Sequence, residues 1–190
     1  MNEHNSSLDK TGKKKGLFNK LMDRISGLPQ EEQAESIASV DTIIGSPLKG
    51  QVLPLSAVKD EAFSSEALGK GVAILPTEGK VYAPVDGIMT NIFPSGHALG
   101  ITSKSGVEVL IHVGQDTVKL KGQHFRPIAK QGQTVKKGDL LLEFDLEAII
   151  AAGFDITTPV IISNTAEFAG VHETDKRIVD YNEQLLLVAI

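Results

Sequence analysis

Residues 97–114 read HALGITSKSGVEVLIHVG, and this stretch decides the fold. Val107 to Val113 alternates, so Val107, Val109, Ile111 and Val113 point to one face of a strand. His112 shares the other face with Glu108 and Leu110. The turn Ser103-Lys104-Ser105-Gly106 carries glycine at its fourth position, which predicts a type I turn with a G1 bulge and pairs Ser103 with Val107. In that register Leu99 and Ile101 join Val109, Ile111 and Val113 on one apolar face. A regular ladder then turns His97 away from His112. Either a bulge at Gly100 or a place for His97 outside the paired stretch brings the two rings together, and the break at Gly100 is the expectation adopted here.

Outward from this hairpin, short apolar runs alternate with Gly, Pro, Asp and Lys punctuation every eight to twelve residues, an all-β texture. Strands are expected over 41–44, 50–55, 71–75, 80–83, 87–93, 98–103, 107–113, 117–120, 133–135, 140–143, 159–162 and 184–189. Helix is minimal: Leu146 to Ala152, closed by Gly153. A short repeat is visible. Pro47-Leu-Lys-Gly50 and Pro84-Val-Asp-Gly87 each lead a proline turn and a glycine into a strand, which suggests two similar β units.

The 190 residues are 23% charged and 41% hydrophobic, an ordinary globular composition. No run reaches the ~18 apolar residues of a membrane-spanning helix. Cysteine is absent, which removes disulfides, thiolate metal sites and cysteine nucleophiles. The N-terminus has no charged stretch leading into an apolar run, so no secretory signal is expected and a cytoplasmic location is. Residues 1–40 read as a tail and 41–190 as the domain. Within the tail, 16–26 form an amphipathic segment with Leu17, Phe18, Leu21, Met22 and Ile25 on one stripe. Lys13 to Lys15, Lys20 and Arg24 flank it, a pattern suited to an anionic membrane surface or to packing on the domain itself. Residues 27–40 read as a linker. Residues 1–26 are net basic and the rest of the chain is net acidic, which disfavours nucleic acid and suits a basic protein partner.

His4, His124 and His172 lie in polar, loop-like stretches and read as solvated. His112, on a half-polar face, suits a structural role and a histidine nucleophile equally; the latter needs one ring nitrogen fixed by a hydrogen bond and the other carrying a lone pair, which a half-buried ring there can supply. No phosphate-binding P-loop is present, and no carboxylate spacing marks a paired acid and base.

Seven blocks then appear in order: Gly69 to Pro76, Ala83 to Gly87, His97-Ala98, Ser105 to Gly114, Asp116 to Gly122, Gly132 to Asp139 and Thr158 to Asn164. From about Ile43 to Ile190 the chain resembles the glucose-type enzyme IIA of the bacterial phosphoenolpyruvate-dependent sugar phosphotransferase system. The resemblance implies an antiparallel β-sandwich or flattened barrel of the duplicated hybrid-motif type. It implies that His112 accepts a phosphoryl group on Nε2 from the phosphohistidine of the carrier HPr. The group then passes to a cysteine of an enzyme IIB, and on to sugar entering through IIC, with no cofactor beyond the covalently carried phosphoryl group. With no cysteine and no membrane span, the chain reads as a freestanding IIA, cytoplasmic, with residues 16–26 matching a membrane-touching N-terminus of some family members. His97 matches the histidine that steadies the phosphoryl oxygens. Ser95 stands where the family usually has threonine, and backbone N–H groups near Gly114 and the Asp116 carboxylate complete the network. Phe63, Phe93 and Leu110 match an apolar docking disc, although both phenylalanines equally suit a core. Ser65, Gly96 and Lys119 depart from residues found in some relatives.

Three other readings fit less well. Gly132 to Asp139 resembles biotinyl and lipoyl turns, but Lys176, the would-be modified lysine, follows them instead of preceding them. A zinc peptidase of the related barrel class needs more ligands than two histidines. A zinc ion shared by His97, His112 and a partner's carboxylate is a third possibility, known in one branch of the family.

Overall fold

In the computed structural model of the chain, residues 40–190 are described; the tail, its amphipathic segment 16–26 and most of the linker lie outside them. The strands are β1 (Thr42–Gly45), β2 (Gly50–Pro54), β3 (Lys70–Pro76), β4 (Lys80–Tyr82), β5 (Gly87–Ile92), β6 (Ala98–Ser103) and β7 (Glu108–His112). They continue with β8 (Phe125–Pro127), β9 (Thr134–Val135), β10 (Leu140–Phe144), β11 (Thr158–Ile162), β12 (Gly170–Glu173), β13 (Ile178–Val179) and β14 (Gln184–Ala189). Two short helices, α1 (Glu61–Ser64) and α2 (Leu146–Ala151), and three 3-10 turns complete the described residues. Eight strands form one sheet in the order β13-β2-β3-β11-β7-β6-β5-β9. Two three-stranded sheets, β1-β14-β12 and β4-β10-β8, supply the remaining strands. Every pairing is antiparallel.

The β6–β7 hairpin pairs as its turn letters demand. The Ser103 N–H donates to the Val107 carbonyl at 2.8 Å, and Leu99, Ile101, Val107, Val109, Ile111 and Val113 are all buried in the main core. The expected break at Gly100 is absent from this ladder, which runs evenly from Thr102 opposite Glu108 to Ala98 opposite His112. The irregularity lies one strand over, in β5, between Met89 and Asn91, where Asn91 faces Gly100. A Cβ on Gly100 would come within 3.3 Å of the Asn91 Cβ, so the glycine leaves room for a neighbour's bulge instead of making its own.

The short repeat is a real duplication. The Gly45 N–H donates to the Pro84 carbonyl at 2.8 Å, and the Tyr82 N–H donates to the Pro47 carbonyl at 2.9 Å, each copy bonding the other in the same way. The Asn182 N–H donates to the Ser46 carbonyl and the Gly138 N–H to the Ala83 carbonyl, both at 2.9 Å. Asn182 and Gly138 both have positive φ, 64° and 94°, a backbone shape that glycine and asparagine tolerate best. Likewise β13 pairs with β2 as β9 pairs with β5.

Several local expectations are corrected. Residues 117–120 form a 3-10 turn, because Asp116 and Lys121 at its two ends take left-handed φ values of 60° and 52°, which no strand accommodates. His172 lies on β12, not in a loop, though its side chain is exposed as expected. Strands β8, β12 and β13, and the helix α1, were not anticipated. Helix α2 was, and Gly153 follows it at φ 88°. Asp145 caps it, accepting the Ala148 N–H at 3.0 Å.

Candidate functional site

His112 ends β7, half-buried, on the sheet face opposite the main core. Its Nδ1 lies 2.9 Å from the Gly114 carbonyl oxygen. A carbonyl only accepts, so Nδ1 carries the proton and Nε2 keeps its lone pair. Burial pushes the His112 imidazole below its ordinary range, opposed by the Gly114 bond and by the charges of Asp60 and Asp116. The ring is therefore neutral at pH 7.

His97 sits in the bend before β6, outside the ladder, and its carbonyl accepts the Val113 N–H at 2.8 Å. This is how it reaches His112 without a strand break: the bend Ser95–His97, with Gly96 at φ 69°, turns the side chain over. A Cβ on Gly96 would meet Pro127 Cγ at 2.9 Å, so the bend is packed against β8. The two imidazoles stand edge to face with centroids 4.7 Å apart. His97 Nδ1 is 2.5 Å from Ser95 Oγ. Its pKa is pushed down to about 4, by burial first and by the adjacent His112 second.

The expected docking residues divide. Phe63 is a correction: it is buried, 4% exposed, in a second small core with Leu55, Val58, Ala73 and Ile161. It packs its ring 5.3 Å from that of His112 instead of facing solvent. Phe93 is 37% exposed and stands edge-on to His97 at 5.7 Å. Leu110 is partly buried beside the second core. Gly114 is corrected in its role. Its N–H is turned to Thr158 Oγ1 at 3.3 Å, and those of Val113 and Gln115 go to the His97 and Asp155 carbonyls. The network near Gly114 therefore contributes a carbonyl acceptor to His112, and those three N–H groups are already engaged. The φ of Gly114 is 73°, and a Cβ there would meet Asp155 O at 2.8 Å, which leaves only glycine comfortable. Asp116 is exposed and pairs with Lys119 at 2.7 Å.

Sequence reasoning missed Asp60, Lys59 and Asp155. Asp60 caps α1, accepting the Ala62 N–H at 2.9 Å, and a capping aspartate before Glu61-Ala62-Phe63 was the available signal. With Gln115, Asp116, Gly153 and Phe154, these three line a cavity of about 370 Å³. Among the described residues no group of three or more His, Cys, Asp or Glu side chains is arranged to hold a metal ion. Nor is any helix among them long and apolar enough to cross a membrane. Glu173 to Lys176 is a surface segment at the end of β12, with Lys176 paired to Glu183 at 2.7 Å.

The family model described as phosphoenolpyruvate-dependent sugar phosphotransferase system, EIIA 1, matches residues 42–168. The chain is 48% identical over 167 residues to a PTS system beta-glucoside-specific EIIBCA component of Halalkalibacterium halodurans, covering 85% of this chain and 26% of that protein. It is 55% identical over 127 residues to the Bacillus subtilis protein of the same description, covering 67% and 21%. The chain thus spans about a quarter of the length of these curated relatives. Among solved structures, the glucose permease IIA from Mycoplasma capricolum superposes with a TM-score of 0.71 at 33% identity, covering 78% of this chain and 96% of that one.

Proposed function

The chain belongs to the EIIA 1 family of the phosphoenolpyruvate-dependent sugar phosphotransferase system, and from that premise we propose that His112 Nε2 is the atom that carries the phosphoryl group. The observation behind this reading is the 2.9 Å bond from His112 Nδ1 to the Gly114 carbonyl, which leaves Nε2 as the nucleophile. The Nε2 lone pair attacks phosphorus on a phosphohistidine of HPr. The donor P–N bond breaks, and its electron pair returns to the donor ring. Nucleophile and leaving group are both imidazole nitrogens, so the step is nearly balanced and runs either way. As the new bond forms, the His112 ring gains positive character and Nδ1–H becomes a stronger donor. The Gly114 carbonyl therefore helps more in the transition state than before it.

His97 is the neutral neighbour. With a pKa near 4 it holds no full charge at pH 7. Its Nδ1 lies 2.5 Å from Ser95 Oγ; in the tautomer where that hydroxyl donates, His97 presents Nε2–H to the transferring oxygens. A neutral donor steadies the charge spread over those oxygens without trapping the product. The acidic neighbours Asp60 and Asp116 suit a cationic side chain brought by the partner, in keeping with the acidic balance of the domain. Phe93 and Leu110 offer apolar contact beside the histidines. The acceptor is the cysteine of an enzyme IIB with its IIC permease; the curated relatives carry the components named B, C and A in one description. The sequence contains no cysteine, so the acceptor thiol is outside it. Binding of residues 16–26 to an anionic membrane surface is a further part of this proposal. Vesicles of anionic lipid should retain the full sequence and release one lacking residues 1–26.

The test is phosphorylation with phosphoenolpyruvate, enzyme I and HPr, followed by mapping of the acid-labile site. Label on His112 that requires HPr is expected. Label elsewhere, or none from an active donor system, would overturn the reading.

A further inference from the structure

The turn after α2, Asp155 to Thr158, is bonded to Gly114 and Gln115, two and three residues beyond His112. The Gln115 N–H donates to the Asp155 carbonyl at 2.7 Å, and Gln115 Nε2 donates to the Thr157 carbonyl at 2.7 Å. The Gly114 N–H points to Thr158 Oγ1 at 3.3 Å, and that hydroxyl donates onward to the Ile156 carbonyl at 2.8 Å. What gives the turn its shape is the Asp155 side chain: its Oδ1 accepts the Thr157 N–H at 2.9 Å, closing an Asx turn. Its Oδ2 meets Lys59 Nζ at 3.1 Å, and both residues line the cavity shared with Gln115 and Asp116. The lysine side chain is 80% exposed, so this ion pair adds little energy of its own. The Asx turn is half-buried and directs two carbonyls at Gln115. Burial works against the Asp155 carboxylate, yet the Thr157 bonds and the Lys59 ammonium hold it below the ordinary carboxylate range, so the acceptor is charged at pH 7.

We propose that Asp155 is a positioning residue for phosphoryl acceptance at His112, acting through Gly114. The Asx turn fixes residues 157 and 158, these fix 114 and 115, and the Gly114 carbonyl so placed holds the proton on His112 Nδ1. Loss of the turn frees the peptide after Gly114 to rotate. The carbonyl then moves off Nδ1, the second tautomer becomes populated, and a protonated Nε2 has no lone pair to offer. This inference rests on the phosphocarrier reading for its rate effect, but its effect on the ring is independent of any donor.

The experiment therefore has two readouts. Nitrogen-15 NMR of histidine-labelled, unphosphorylated protein reads the His112 tautomer; HPr-dependent labelling reads kcat/KM. The native protein should show one tautomer, with Nδ1 protonated. Asp155→Ala should show a mixture and a fall in kcat/KM of about tenfold. Asp155→Asn keeps an oxygen for the Thr157 N–H and should regain most of both. Should Asp155→Ala fail to fold, Thr158→Val, which removes the acceptor for the Gly114 N–H, should give the same pair of changes. A single native tautomer and an undiminished rate in Asp155→Ala would overturn the inference. So would an Asp155→Asn protein as impaired as Asp155→Ala, which would mean that charge, not the turn, matters. A single tautomer in a native protein that takes no label would overturn the phosphocarrier reading instead, leaving the link from Asp155 to the ring to stand or fall on the NMR alone.

Discussion

The two copies of the duplicated β unit occupy equivalent places in the large sheet, yet one carries the histidines and the other carries none. The pairing fixes the equivalence. Gly50 faces Pro76 as Gly87 faces Ser103, and Gly71 faces Ile161 as Ala98 faces His112. His112 thus has Ile161 as its counterpart, and His97 has Lys70. Ile161 is fully buried under Leu55, Val58 and Phe63, whereas His112 is half-open. The reason is loop length. Between β2 and β3 the chain runs from Leu55 to Gly69 and folds α1 over the sheet. Between β5 and β6 it has only Phe93 to His97 to spend. The short connection leaves its sheet position uncovered and pins His97 at the rim, while the long one seals its own half and reaches across to set Phe63 on the His112 ring. A site arises where the duplication failed to cover itself.

The comparison predicts that the open half can be silenced without harming the fold. His112→Ile copies the closed half and should abolish phosphorylation in the HPr-driven assay while leaving the thermal unfolding temperature at or above the native value. A large loss of stability would mean that the two positions are not equivalent. His97→Gln should still accept the phosphoryl group but pass it to enzyme IIB about a hundredfold more slowly, in keeping with loss of a preorganised donor. A protein as dead to HPr as His112→Ile would break the division of roles. Phe63→Ala should cost about 3 kcal/mol in urea unfolding, as for a buried aromatic. Phe93→Ala, on the exposed side, should cost less than about 1 kcal/mol and weaken HPr binding instead. Equal costs would return Phe63 to the surface.

A further effect is in pH. The folded site keeps His97 neutral down to about pH 4, while the unfolded chain protonates this ring near its ordinary value of 6.5. Below 6.5 the unfolded state binds more protons, so the stability present above that pH is lost progressively as the pH falls toward 4. His97→Gln should flatten this slope in stability curves measured at intervals across the window.

The ladder of 98–112 was legible because one face of it is wholly apolar and a single glycine set the turn. The pairing of Ser103 with Val107 followed from Gly106 alone. The place of His97 was not legible, because it depends on a bend packed against β8, a three-residue strand recruited only through β10. Residues 117–120 alternate like a strand, and only the left-handed backbone at Asp116 and Lys121 makes them a turn. Phe63 reads the same way in sequence whether it covers a core or faces a partner. The Gly114 carbonyl could not be anticipated as the key contact, since main-chain direction leaves no trace in side-chain letters. The duplication left only four aligned positions in the sequence, a faint signal, and it is the reciprocal bonds between the two proline turns that make it plain.

The central claim is that a fixed tautomer delivers the phosphoryl group to Nε2 of His112. Nitrogen-15 and phosphorus-31 NMR of the histidine-labelled protein, phosphorylated through HPr, reads this bond directly. Phosphorus coupled to Nε2 of His112, with the proton retained on Nδ1, is the predicted result. Phosphorus on Nδ1, or on any other histidine, would contradict the account.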